Sequence, residues 1–312
     1  MLRPLKPGGT IGICAPAGPV KREKLEVAVA QLTARNFRVK TSSHVFGKHG
    51  FLSATDDIRA AELHEMLSDP EVDAVFAARG GVGSSRLLSR LILEQLSQSE
   101  KPFLGFSDTT AIQWALWAKH QAVTFTGPLA VEFDGSVTSA TSQMAMDVLA
   151  DAPQDNWLDY FPKTEIELLR GGANLIIAPL LPGNLTMIAT LIGTPYMPDL
   201  RGVILVIEDI AEPPYRVDRL LFHLRNAGHL QNLAALVVGD FGWDASDLES
   251  RERLRDSILD ATERTAYPIL FGFPYGHGAE RLTLPVGAPM QLGFKSGAMS
   301  LTYAISPFAP SA

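Results

Sequence analysis

Two periodicities alternate along the first half of the chain. Short β-rich runs at Thr10 to Ala15, Arg38 to Thr41, Val72 to Ala78, Pro102 to Phe106 and Ala122 to Thr126 predict strands. Between them, Glu23 to Arg35, Thr55 to Leu67, Ser84 to Leu96 and Asp108 to Lys119 place apolar residues at three- and four-residue intervals, the helical spacing. Nearly continuous apolar strands alternating with amphipathic helices predict a parallel sheet covered on both faces, with ligands bound beyond the carboxyl ends of its strands.

The pattern changes between Ala150 and Lys163, where Asp151-Ala152-Pro153-Gln154-Asp155-Asn156-Trp157 is polar and Pro162 follows. A stretch of this kind suits a connection between domains, which places an N-terminal α/β domain at 1–163 and a C-terminal β/α domain at 164–312. In the second part, strands are expected at Glu165 to Leu169, Val203 to Ile207, Ala234 to Val238, Ile269 to Phe273, Arg281 to Leu284 and Met299 to Ile305. Helices are expected at Leu185 to Leu191, Tyr215 to Ala227 and Asp247 to Thr262.

Composition narrows the function. Among 312 residues, 46% are apolar and 20% charged, as in globular proteins with a substantial core. The 27 basic residues are outnumbered by 34 acidic ones and form no block, which argues against nucleic acid as a partner and leaves a small molecule or peptide. Cys14 is the single cysteine and lies in an apolar strand, so an intramolecular disulfide or cysteine metal cluster is excluded. Met1 to Gly9 has no apolar signal core and no run of about 18 apolar residues occurs, so a cytoplasmic protein with no membrane partner is expected.

Four segments could carry chemistry. In Gly105-Phe106-Ser107-Asp108-Thr109, Ser107 sits where a strand meets a helix, the position of a nucleophile elbow; the rival reading is a plain helix cap by Ser107 or Asp108. The loop Arg79-Gly80-Gly81-Val82-Gly83 also joins a strand to a helix, but lacks the Gly-x-Gly-x-x-Gly spacing of a dinucleotide site. Glu208 ends the apolar run Val203 to Ile207, where it could serve a site or simply begin a loop. His277, between Gly276 and Gly278, has freedom to aim its ring; no histidine belongs to a His-Glu-x-x-His zinc motif. Serine, acid and histidine at three strand ends make a nucleophile, an orienter and a base, whatever their chain order.

Taken together, Arg79 to Leu88, Gly105 to Ile112, Ile207-Glu208-Asp209 leading to Pro214 to Arg219, and Gly276-His277 leading to Leu284-Pro285-Val286-Gly287 resemble the LD-carboxypeptidases, or murein tetrapeptide carboxypeptidases, over nearly the whole chain. The resemblance implies a Rossmann-like N-terminal domain similar to class I glutamine amidotransferases, a swivelling β/α C-terminal domain and a site between them. It implies Ser107 as nucleophile, His277 as general base, Glu208 as its orienting carboxylate, and backbone N–H groups of Asp108 and Gly81 as the oxyanion hole, with neither metal nor organic cofactor. The implied reaction removes terminal D-alanine from a muropeptide tetrapeptide during cell-wall recycling. Relatives of this kind are commonly homodimers, although no interface is legible here. Arg79 and Gly80 are the candidates for substrate binding, with Arg79 suited to gripping a terminal carboxylate and equally to supporting the turn. The departures from the family pattern are Val82 in place of an aromatic residue and the Gly278-Ala279-Glu280 loop, which bear on specificity. Alternatives are a microcin-immunity-type hydrolase of acylated aminoacyl-nucleotides and an inactive muropeptide-binding protein.

Overall fold

The computed structural model describes residues 1–244, 246–295 and 298–310. Its first part runs β1 (Thr10–Cys14), α1 (Arg22–Ala34), β2 (Arg38–Thr41), α2 (Asp56–Ser68), β3 (Ala74–Ala77), α3 (Leu93–Ser97), β4 (Phe103–Gly105), α4 (Thr110–His120), β5 (Thr124–Thr126) and α5 (Ser139–Leu149). The second part comprises β6 (Glu167–Arg170), β7 (Leu175–Asn184), α6 (Leu185–Leu191), β8 (Ile204–Glu208), α7 (Pro214–Asn226), β9 (Ala235–Val238), α8 (Leu248–Ala261), β10 (Ile269–Phe271), β11 (Leu284–Val286), β12 (Pro289–Lys295) and β13 (Ala298–Tyr303).

Two sheets result. The first has the order β11-β5-β4-β3-β1-β2, its five N-terminal strands parallel, as their apolar runs predict. Its outer strand β11 comes from the second part of the chain and runs antiparallel to β5. Pro285 is tolerated there because an edge strand needs fewer backbone donors. The second sheet, β13-β12-β7-β8-β9-β10-β6, has a parallel centre, β7 to β10, flanked by antiparallel strands. Buried side chains such as Phe76, Phe103, Phe125 and Trp114 fill the first layer, and every residue of β8 is buried in the second. This is a mixed α/β architecture with two sheets, the Rossmann-like parallel one leading.

Several local expectations are corrected. The helix read over Ser84 to Leu96 is a 3-10 turn at Ser84–Leu87 followed by the short α3. Its continuity breaks at Ile92, whose N–H donates to His64 Nε2 at 3.0 Å rather than to a helical carbonyl. The strand expected at Arg281 to Leu284 begins only at Leu284; the buried Arg281 side chain instead pairs with the half-buried Glu132. Strand β7 falls where no strand is predicted, and its Pro179 and Pro182 are unusual residues for a central strand. Pro179 stands opposite Pro289, and the Pro182 carbonyl accepts from the Trp114 indole at 2.9 Å. Strand β12 and helix α5 were also not expected. The polar stretch at 150–163 contains a 3-10 turn in which buried Trp157 meets Tyr303 edge-on, with ring centroids 4.7 Å apart. Among the described residues, no helix is long and apolar enough to cross a membrane.

Candidate active site

At the carboxyl end of β4 the chain turns sharply, and Ser107 adopts φ +58°, a left-handed conformation uncommon for any residue but glycine. Two contacts hold this strained turn. Thr109 Oγ1 accepts from the Phe106 N–H at 2.7 Å and donates to the Phe106 carbonyl at 3.0 Å. A Cβ at Gly105 would collide with that same hydroxyl, so glycine at 105 and threonine at 109 form one device. Asp108 is buried and its carboxylate accepts from the Ser84 N–H at 2.8 Å, while Ser84 Oγ donates to the Asp108 carbonyl. Asp108 therefore caps the 3-10 turn of the glycine loop rather than its own helix. Burial pushes its carboxyl up from the usual range, against the pull of those hydrogen bonds.

The glycine loop lies against this turn. A Cβ on Gly80 would stand 3.1 Å from Ser107 Cβ and 3.3 Å from its Oγ, so only a glycine lets the backbone approach the hydroxyl without displacing it. Behind the loop, buried Arg59 donates to the carbonyls of Gly83 and Pro16 and pairs with Asp56 at 2.6 Å. Arg79 is exposed and donates to the Pro19 carbonyl at 2.8 Å; among the described residues it has no carboxylate partner. Gly81 borders the same cleft, and the Asp108 N–H lies in the first turn after the elbow, where backbone donors lack partners within the helix.

The acid and histidine come from the other sheet and its returning loop. Glu208, the last residue of β8, is fully buried, and its Oε2 meets His277 Nδ1 at 2.6 Å. His277 Nε2 lies 3.0 Å from Ser107 Oγ. Burial pushes the Glu208 carboxyl up, and the adjacent imidazole draws it partly back. Its neighbour Asp209 does something different, accepting from Asn184 Nδ2, the Thr186 N–H and hydroxyl, and the Ile210 N–H at 2.8 to 3.0 Å. That carboxylate ties the start of α6 to the end of β8. Glu212 pairs with Arg216 at 3.0 Å. Of the other histidines, His44 pairs with Glu62 at 2.9 Å and His64 accepts from Ile92, so neither belongs to this group.

Ser107, Glu208 and His277 thus meet as one hydrogen-bonded series, with Ser107 and His277 lining a cleft of about 670 Å³ and Glu208 buried behind them. Lys21, Lys24 and Arg79 outnumber Glu132 and give it a cationic rim, although Lys24 also pairs with Asp134 at 3.5 Å; Leu129, Val131, Val137 and Ile210 add an apolar wall. An imidazole held on one side by a buried carboxylate can take the serine proton through its other nitrogen. Arg281 and Glu132 also belong to these surroundings, and sequence reasoning passed over both. The available signal was a charged residue at the head of the apolar run Leu282-Thr283-Leu284. Among the described residues, no group of three or more His, Cys, Asp or Glu side chains could hold a metal ion.

Residues 11–127 match the family model for the LD-carboxypeptidase N-terminal domain, and residues 178–292 match that for the LD-carboxypeptidase C-terminal domain. The chain is 32% identical to a probable murein peptide carboxypeptidase of Bacillus subtilis, over 91% of this chain and 88% of that protein. The solved muramoyltetrapeptide carboxypeptidase of Oxalobacter formigenes superposes with a TM-score of 0.81 at 33% identity, covering 96% of this chain and 99% of the other. The microcin C7 self-immunity protein of Escherichia coli is 26% identical, over 96% of this chain and 94% of its own length.

Proposed function

This chain belongs to the LD-carboxypeptidase family, and on that premise we propose that it is a serine carboxypeptidase that removes the terminal D-alanine of muropeptide tetrapeptides. The observation that carries the mechanism is the series Ser107 Oγ to His277 Nε2 and His277 Nδ1 to Glu208 Oε2, at 3.0 and 2.6 Å. In this reading, His277 takes the Ser107 proton as the hydroxyl attacks the carbonyl of the last peptide bond. Oxyanion charge develops toward the N–H groups of Asp108 and Gly81. His277 then protonates the departing amine, releasing D-alanine and leaving an acyl ester on Ser107. Water, deprotonated by His277, cleaves that ester and restores the serine. Glu208 keeps the imidazole in the tautomer with its proton on Nδ1 and stabilises the imidazolium.

The cationic rim suits the substrate class, because a carboxypeptidase must recognise a free terminal carboxylate. Arg79 is assigned that contact, with Gly80 giving the substrate backbone close access to Ser107. The test is incubation with a tetrapeptide ending in D-alanine beside the same peptide ending in L-alanine. Release of D-alanine alone is expected. Failure on both peptides, with cleavage of an acylated aminoacyl-nucleotide, would move the protein to the microcin-immunity type of activity.

A further inference from the structure

The His277 loop has a second anchor besides Glu208. The Arg281 guanidinium is buried, and its Nη1 donates to the carbonyls of Gly276, at 3.3 Å, and Gly278, at 3.2 Å, the two residues flanking His277. Its Nη2 pairs with Glu132, which lies in the 3-10 turn Ala130–Asp134 and also lines the cleft. The Glu132 carboxylate is itself fixed by the Leu129 N–H at 2.7 Å. The same guanidinium lies over the ring of Phe106, 4.5 Å from its centroid, and that ring packs against the His277 imidazole with centroids 4.6 Å apart. Phe106 directly precedes Ser107. Arg281 therefore touches the residues on both sides of the histidine, the residue before the serine, and a carboxylate of the cleft lining.

We propose that Arg281, clamped by Glu132, is a positioning residue that sets the distance between His277 and Ser107. This rests on the assignment of His277 as the base for Ser107. It follows from the chemistry of the side chain: a planar guanidinium can hold two carbonyls and a carboxylate at once in fixed directions, whereas an ammonium concentrates its charge at one point. Beyond Ala279 the loop is anchored independently, since the Ala279 carbonyl accepts from the Thr138 N–H at 3.1 Å and the Thr141 hydroxyl at 2.9 Å. Loss of the guanidinium should therefore loosen residues 276–278 rather than unfold the loop. Removing Arg281 leaves Glu132 near solvent, where it can rehydrate. Removing Glu132 would instead strand a buried cation, so substitutions at 281 are the cleaner probe.

The experiment compares wild type, Arg281→Met and Arg281→Lys in three assays: peptide turnover, thermal unfolding, and the rate at which a small serine-directed phosphonate inactivates Ser107. The phosphonate needs the His277-activated hydroxyl but little of the peptide cleft, so it reports positioning even if the natural substrate is other than a muropeptide. Arg281→Met should lower kcat and the phosphonate rate by the same factor, about 10²-fold, with KM nearly unchanged. Arg281→Lys should recover most of the thermal stability but not the phosphonate rate. A full phosphonate rate in either variant overturns the proposal, as does a loss confined to KM, which would make the pair a substrate contact. If Arg281→Met fails to fold, the phosphonate rate of Arg281→Lys decides alone.

Discussion

The two sides of the cleft achieve fixed geometry by different means. On the Ser107 side, order is local: Ser107, Gly105, Thr109 and the Gly80 loop lie within or beside one turn, and backbone strain is held by hydrogen bonds within it. On the Glu208–His277 side, order is long-range: Glu208 ends a strand of the second sheet, while His277 lies on a loop leading back to the first. Fixing that loop requires buried charge, supplied by Glu208 and Arg281. Each side has a buried arginine donating to loop carbonyls, Arg59 behind the glycine loop and Arg281 behind the histidine loop. A strained turn is specified by its own residues, whereas a loop spanning two sheets has to be specified from outside.

Separating the sides should have the largest effect. Residues 1–163 and 164–312 expressed apart should each show no turnover, because the first fragment lacks His277, Glu208 and β11, and the second lacks Ser107. Hydrolysis by the first fragment alone would place the base elsewhere. In the intact chain, Ser107→Ala and His277→Ala should each lower turnover by roughly 10³ to 10⁶-fold while calorimetry still detects peptide binding. The neighbouring carboxylates should then diverge. Glu208→Gln should keep the fold and lose roughly 10² to 10⁴-fold in kcat. Asp209→Asn should instead lower stability by about 1–3 kcal/mol in a denaturant titration, with a smaller kinetic loss. On the local side, Gly105→Ala forces Thr109 out of place, costing about 1–3 kcal/mol, so activity and stability should fall together.

The smallest effect expected is a pH dependence of the Ser107 side. Arg86 and Arg59 beside Asp56 hold its carboxyl down at about 2, from an ordinary value of 3.8. A carboxyl depressed on folding stabilises the protein fully above its unfolded value and loses that contribution as pH falls through the folded one. The melting temperatures of wild type and Asp56→Asn should therefore differ at pH 5 and converge toward pH 2. A constant difference across that range would show that the loss in the variant is steric.

What the sequence revealed follows the same division. Ser107, Glu208 and His277, which the structure brings into contact, each lie at or just beyond the end of an apolar run, although locally each reads equally well as a cap, a loop start or a solvated side chain. The repeating strand–helix pattern likewise revealed the first sheet, and helix α6 falls on its expected residues. The supporting residues left no such trace. Arg59 lies in a helical pattern where a charged side chain ordinarily faces water, and only the fold turns it beneath the glycine loop. Glu132 and Arg281 are 149 residues apart, a pairing that no local pattern encodes. Strand β7 was hidden by its prolines, and the residues they stand against, Pro289 and Val206, lie outside any local pattern.

The return of β11 to the edge of β5 also bears on how the molecule is made. As the chain leaves the ribosome, the five parallel strands and the Ser107 elbow are available early, but β5 remains an open edge until synthesis has passed Val286. For that interval the nascent protein carries Ser107 without His277, which emerges only just before the strand that closes the sheet. Completing the first sheet and bringing His277 to Ser107 are therefore one late event, so under the proposed function a chain truncated before residue 277 should be left without activity and with an unpaired strand edge.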